Sequence, residues 1–251
     1  MKDYTEKQRA AKEQFFKDRG EWKWNETWET ILSMNEDIIA AYSKLSSFPH
    51  KKGYLSMKMI TLIYIAIDAS ITHLYAPGMN THITHGINDL GITKEEVMEV
   101  LAITTTIGTG TFTDCYGAFV RALSEKGVPV SSGSEKTAAL RNRAKEELGY
   151  WNENLENICS IDPEMLEVYL DYLKAALSKN MLDAKAREFI YIAINAAPTT
   201  RNSGEVYTHV KKALDAGASK EEIAEIFDLV ACNGIHTITV GVPILSRAIH
   251  P

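Results

Sequence analysis

The sequence predicts an all-α protein made of two tandem copies of one helical unit that together form a single pseudo-symmetric body. Three observations carry this. Residues recur at a fixed separation along the chain. The repeated apolar runs have helical spacing over lengths too great for ordinary strands. Matching helix-capping signals stand at matching places in the two halves.

The separation is 127 residues: Trp24-Asn25-Glu26 recurs as Trp151-Asn152-Glu153, Tyr42 as Tyr169, the run 63–67 (Ile-Tyr-Ile-Ala-Ile) as 190–194, and His82 as His209. Beyond the histidines it falls to 126, since Gly91 answers Gly217 and Gly108 answers Gly234, which places a one-residue deletion in the second copy. The first copy is read as 1–127 and the second as 138–251. Residues 128–137, rich in Ser, Gly and Pro near their start, form the linker.

Residues 1–20 read as a charged helix-former without the apolar core of a signal peptide. Trp22, Trp24 and Trp28 are expected to pack that region onto the body or a neighbouring subunit, an aromatic lid over a pocket being the lesser alternative. Met57 to Ile71 and Ala184 to Ala197 read as buried helices. Each ends in a break, 75–80 and 198–204, followed by a short helix that carries the repeated histidine, for which Asn80 and Ser203 are candidate N-caps. That helix closes at Gly91 or Gly217. The next opens with a capping box in both copies, Thr93 with Glu96 and Ser219 with Glu222. The threonine-rich run 104–113 is poor helix material, so its hydroxyls either bond back to the preceding turn or line a pocket.

Composition narrows the function classes. The chain is 45% apolar and 24% charged, with mean hydropathy -0.17, a net charge of -6 and a pI near 5.7. This balance suits a well-cored globular protein and disfavours a nucleic-acid or anionic-membrane surface. No apolar run of membrane-spanning length is evident, and the expected location is cytoplasmic. Cys115, Cys159 and Cys232 form no CxxC pair and no metal-ligand spacing, and are read as isolated, buried thiols.

A long apolar helix, a break, a His-bearing helix ending in Leu-Asp-Ala-Gly-Ala-Ser-Lys-Glu-Glu-Ile (214–223) and an apolar helix with glycines resemble the carboxymuconolactone decarboxylase family, which includes the AhpD-like alkylhydroperoxidases. The resemblance spans roughly 55–123 and 182–249. It implies an all-α fold and assembly into rings, here a homotrimer of two-copy chains. In the family's peroxidase branch the signature is a Glu, then Cys-x-x-Cys, then a His four residues on. The matching positions here are Glu188, Asn202, Glu205 and His209 in copy two, and Thr61, Tyr75, Gly78 and His82 in copy one. Thiol exchange needs an attacking and a resolving thiol, and both are missing, which argues against peroxidase activity and leaves the decarboxylase-like branch.

Glu205 and His209, four apart on one helix, share a face; a carboxylate beside an imidazole fixes its tautomer and favours its protonated form. The expected function is therefore a cofactor-free lyase acting by acid-base catalysis on a small carboxylated lactone or keto acid. His209, Glu205, His82 and Glu188 are the candidate catalytic residues, and Arg201, His85 and His73 the candidate substrate-binding ones. No metal is assigned, although His73, His82 and His85 leave a metal-assisted hydrolase or isomerase open. A non-catalytic relic of a peroxidase is the third reading. Asp68, Asn195, His236 and Asp114 are read as structural.

Overall fold

The computed structural model describes residues 3–130 and 133–249, with the backbone alone for 109–114. Asp114, the end of the threonine run and linker residues Ser131 and Ser132 therefore lie outside what is described. Among the described residues there is no strand. The first half runs α1 (Glu6–Arg19), α2 (Glu26–Met34), α3 (Glu36–Lys52), α4 (Met57–Ala69), α5 (Ala76–Asp89), α6 (Lys94–Thr105) and α7 (Gly110–Glu125). The second runs α8 (Glu135–Leu148), α9 (Glu153–Ile161), α10 (Pro163–Ala176), α11 (Ala184–Ala196), α12 (Ser203–Asp215), α13 (Lys220–Ala231) and α14 (His236–Ile249). Helices α2, α4 and α6 and their counterparts α9, α11 and α13 stand at the separations read from the sequence.

Local chemistry explains why the repeated motifs recur. In Trp-Asn-Glu the asparagine is an N-cap: Asn25 accepts from Trp28 N and Asn152 from Leu155 N. The tryptophan indole N–H then donates to a glutamate five residues on, Trp24 to Glu29 at 2.9 Å and Trp151 to Glu156 at 3.0 Å. Both capping boxes form as expected, and Gly91 and Gly217 have positive φ just past their helices. The other two caps need correction. Asn80 lies inside α5, which starts four residues earlier at Ala76 with Pro77 in its first turn, a position where a missing N–H costs nothing. The cap of α12 is Asn202, whose side chain accepts from Glu205 N, and Ser203 is the first helical residue. Helix α8 also begins inside the stretch read as linker, because Ser134 caps it at Thr137 N.

Helices α4 and α11 form the centre. Ile60, Leu62, Ile63, Ile65 and Ile67 of one pack with Phe189, Ile190, Ile192 and Ile194 of the other, flanked by α6 and α13, in one shared core. Neither half could bury these faces alone. Smaller cores lie beneath α1–α3, where Phe15, Trp28, Ile31 and Ile39 meet, and beneath α8–α10. The halves also exchange ends: α7 packs on α9, and α14 packs on α2.

A second exchange was not legible in the sequence. Glu99 of α6 is 2% exposed; its Oε2 accepts the backbone N–H groups of Met181 and Leu182 ahead of α11, and its Oε1 accepts from Arg187 Nε at 2.7 Å. Its counterpart Glu225 of α13, fully buried, accepts from Tyr54 N at 3.0 Å and Leu55 N at 3.1 Å ahead of α4. Each half thus satisfies the loop donors of the other. Only Glu99 has an arginine, and Glu225 Oε1 has no partner.

The membrane reading also needs refinement. Helix α13, the 3-10 turn Cys232–Ile235 and α14 continue as one 30-residue helical run that is long and apolar enough to cross a membrane. The sequence count missed it because Gly, His and Thr interrupt the apolar residues. Its first part contributes Ile223, Ile226 and Leu229 to the central core, whereas α14 leaves Val240, Ile244, Leu245 and Ile249 about half exposed.

Candidate active site

The copy-two catalytic candidates Glu188, Glu205 and His209 meet in a cavity of about 220 Å³ between α11 and α12, closed on one side by Thr106 and Ile107 of the first half. On α11, Glu188, Tyr191 and Asn195 are spaced three and four apart; on α12, Glu205, His209 and Lys212 are spaced four and three. Each set therefore lies on one helical face, and the two faces oppose one another.

His209 is 6% exposed and held on three sides. Its Nδ1 lies 2.6 Å from Glu188 Oε2, its Nε2 lies 3.7 Å from Glu205 Oε2, and its ring stacks on Tyr191 with centroids 4.3 Å apart and planes 6° apart. The sequence pairs His209 with Glu205, its helical neighbour. The short bond instead comes from Glu188, 21 residues away on the adjacent helix. That contact explains a charged residue on an otherwise apolar helix. The carboxylate accepts from Nδ1–H and leaves Nε2 as the reactive nitrogen toward the cavity.

Sequence reasoning missed the rest of the lining. Lys212 donates to Leu148 O at 3.0 Å and lies 4.3 Å from the Tyr150 ring centroid; burial holds its ammonium below the usual range, with Glu188 and Glu205 opposing that shift. Burial, reinforced by nearby carboxylates, pushes the Tyr150 and Tyr191 phenols well up, so both remain neutral hydroxyls. Arg187 also lines the cavity but is taken by Glu99 and Asn180. Arg201 does not serve as read. It sits exposed in the turn before α12 at φ +44°, outside the cavity lining, so Lys212 is the cation available to a ligand carboxylate. A signal for Tyr191 existed, since it is the tyrosine of the repeated apolar run.

The copy-one residues are arranged differently. His82 stacks on Tyr64 at 4.8 Å, as His209 does on Tyr191, but Thr61 and Gly78 stand where copy two has Glu188 and Glu205. Burial, then the charges of Lys23 and Arg19, drive the His82 imidazole down to about 3, so it is neutral and cannot supply a proton near pH 7. His85 turns away to Asp89, at 2.8 Å, and stacks under the half-exposed Trp22 at 4.2 Å. His73 faces His236 at 2.7 Å. The three histidines read as one cluster therefore have separate partners, and Asp68, buried between His73 and His82, is their link. Trp22, Lys23, Arg19, Tyr42, His50 and His82 line a cavity of about 280 Å³, in which burial lowers His50 to about 4 and Lys23 to about 7. Trp24 and Trp28 do pack against Phe15, whereas Trp22 takes the lid position.

The cysteines take no part in the His209 cavity. Cys115 is exposed, contrary to the buried reading. Cys159 and Cys232 are buried, and burial raises both thiols, Cys232 to about 11, the reverse of what a redox nucleophile needs.

Comparison with known proteins bears on the fold and on a segment of the second half. Residues 163–234 match the profile described as "Carboxymuconolactone decarboxylase family", covering α10 to the turn before α14. The fold superposes with a TM-score of 0.88 on the crystal structure of a Burkholderia xenovorans protein described provisionally as a gamma-carboxymuconolactone decarboxylase subunit. The two chains share 28% identity over 97% of each. No curated protein matches the chain. By matched segment, helix order and fold, the chain is similar to the carboxymuconolactone decarboxylase and AhpD-like family, with Asn202 and Glu205 where the peroxidase signature has cysteines.

Proposed function

We propose that the protein is a carboxy-lyase that decarboxylates a small carboxylated lactone or keto acid by acid-base catalysis, without a cofactor, in the copy-two cavity. The observation that carries this reading is His209, fixed through Nδ1 by Glu188 and flanked at Nε2 by Glu205, beside the one lining cation, among the described residues, that no carboxylate claims. Lys212 holds a substrate oxyanion. As the bond to CO₂ breaks, its electron pair moves into the adjacent carbonyl or enone, and Nε2–H of His209 protonates the carbon left behind. Each turnover releases one CO₂ and takes up one proton, returned to His209 from solvent by way of Glu205. Glu188 holds the ring in place by accepting from Nδ1–H.

The test is CO₂ release from a panel of carboxylated lactones and β- or γ-keto acids, with His209→Ala alongside. A general acid contributes about 10²- to 10⁴-fold, so the variant should lose at least the lower figure. Unchanged turnover in His209→Ala, or thermal stabilisation by panel members with no CO₂ from any of them, overturns the proposal. The second outcome supports a binding protein instead.

One observation favours a second reading, in which the copy-one cavity takes the anion. Arg19 Nη1 and Ser46 Oγ are buried there without hydrogen-bond partners, next to Lys23, although the Arg19 guanidinium lies over the Phe15, Trp28 and Tyr42 rings. A hydrolase or isomerase built on its imidazoles would then be silenced by Arg19→Met and indifferent to His209→Ala.

We also propose a homo-oligomer, the trimer that the resemblance implies. A monomeric protein of 28.0 kDa exposes about 11,100 Å², whereas this chain exposes 13592 Å². The excess, with the apolar face of α14, is of the size of an obligate interface. Light scattering should give a multiple of the chain mass, and a monomer at micromolar concentration would refute it.

A further inference from the structure

Asp68 on α4 is 1% exposed, and neither of its carboxylate oxygens has a hydrogen-bond partner. A buried carboxylate without a donor is among the costliest arrangements a fold can hold, so its surroundings call for a ligand. Three imidazole nitrogens surround it just beyond hydrogen-bonding distance. His73 Nε2 lies 4.0 Å and His236 Nδ1 3.9 Å from Asp68 Oδ1, and His82 Nε2 lies 3.8 Å from Oδ2.

The first three atoms form a triangle with sides of 2.7, 3.9 and 4.0 Å, whose circumradius is about 2.1 Å. A point therefore exists that is equidistant from two imidazole nitrogens and one carboxylate oxygen at the bond length of a first-row transition ion. A water molecule needs about 2.8 Å to each partner and would have to stand out of that plane.

We propose that Asp68, His73 and His236 bind one divalent first-row transition-metal ion. The two nitrogens and one hard oxygen suit Zn²⁺ or Fe²⁺. Without the ion, a single N–H bridges His73 and His236; binding displaces that proton and turns both lone pairs to the metal. Asp68 Oδ2 remains directed at His82, which supports the carboxylate.

Independent features fit. Gly78 leaves the space open, since a Cβ there would stand 2.8 Å from Asp68 Cγ. Asp68 lines the copy-one cavity, His73 a neighbouring cavity of about 580 Å³, and His236 both, so the open metal positions can reach a ligand. The other half lacks all three ligands. Asn195, Thr200 and Gly110 stand at the matching positions, and Asn195 is satisfied by donating to Tyr191 O at 2.9 Å. The triad therefore has no counterpart in the other half, and it joins the end of α4 and the turn after it to α14, His73 and His236 lying 163 residues apart in the chain. This site is separate from the His209 cavity, and its existence does not depend on the decarboxylase reading.

The test uses full-length protein made without a histidine tag, stripped with chelator and titrated with Zn²⁺ and Co²⁺ by calorimetry and visible absorption. One ion per chain is expected, with Kd tighter than about 10 µM and d–d absorption from bound Co²⁺. His236→Ala and Asp68→Asn should each weaken binding more than about 100-fold, while His85→Ala should leave it unchanged. Asp68→Asn copies the residue of the other half, so folding is expected to survive, and circular dichroism checks it. Substoichiometric binding to the stripped protein, or undiminished binding in the folded Asp68→Asn and His236→Ala variants, overturns the proposal.

Discussion

The exchanged glutamates offer the sharpest test of how the two halves are held together, because the same position carries a paired carboxylate in one and an unpaired one in the other. Glu99→Gln keeps an oxygen for the N–H groups of Met181 and Leu182 but removes the charge opposite Arg187, whose side chain is 16% exposed. Breaking a buried pair by deleting one partner costs about 3–5 kcal/mol. Arg187 retains Asn180 and borders a cavity that admits water, which puts the expected loss near the lower end, about 3 kcal/mol. For a chain of this size each kcal/mol moves Tm by about 2–4 °C, so a fall of roughly 6–12 °C follows. Glu225→Gln removes no cation partner, since nearby Lys52 engages Asp228. Burial raises the Glu225 carboxyl, the N–H groups of Leu55 and Tyr54 opposing. A carboxyl raised in the folded state costs stability as pH climbs through its folded value. The Gln variant should therefore match wild type at low pH and equal or exceed it at pH 8. Thermal melts by circular dichroism at pH 5 and pH 8 decide the matter, and the double variant Glu99→Gln with Arg187→Met should recover most of the Glu99→Gln loss. Equal destabilisation by the two single glutamines, or a Glu99→Gln effect within about 0.5 kcal/mol of zero, would refute the reasoning.

Three further outcomes follow from the same geometry. Gly78→Ala should destabilise by about 1–3 kcal/mol in urea titrations, because its Cβ would press on Asp68 and stand 2.6 Å from Tyr75 Cδ1. Stability should fall as pH drops from about 6.5 toward 4, since the unfolded chain protonates His50 and His82 while the folded one holds them neutral, His50 down to about 4. His82→Gln should flatten that slope, and an unchanged slope would show that burial of His82 has no such effect. Once a substrate is in hand, Glu188→Gln should lower kcat by about 10- to 100-fold with KM little changed, whereas Lys212→Met should act mainly on KM.

The fold was largely legible because its signals are local. A capping box spans four residues, and a 13-residue apolar helix displays its period within itself, so the repeat spacing carried both into the correct half. The site was legible only where chemistry followed the helix. Glu205 and His209 could be placed on one face by counting, but the 2.6 Å bond from Glu188 depends on how α11 meets α12. The family pattern flagged Glu188 without saying what it would touch. Arg201 misled because proximity in sequence to a helix start does not fix direction, and a positive φ turns that residue outward. Asp68 and His236 read as structural because neither has a chemical partner nearby in its own stretch of chain, and what brings them close, together with His73, is the packing of α14 onto the first half.

That swap also shows how two similar halves can frame two different cavities. Each cavity is lined mainly by one half and closed by the other, so a substitution in either half alters only one cavity at each position. Paired positions that separate them include Thr61 against Glu188, Asp68 against Asn195, Gly78 against Glu205, His85 against Lys212 and Lys23 against Tyr150. In the copy-two cavity they leave two carboxylates and a lysine around a central histidine. In the copy-one cavity Arg19, Lys23 and buried imidazoles stand around the matching stacked histidine, whose proton affinity is lowered first by burial and then by those two cations, so that it acts only in its neutral form. The shared Tyr–His stack is the part that both halves need for packing. The charges around it are what differ, and under the proposed reading proton transfer falls to His209, while His82 stands beside Asp68.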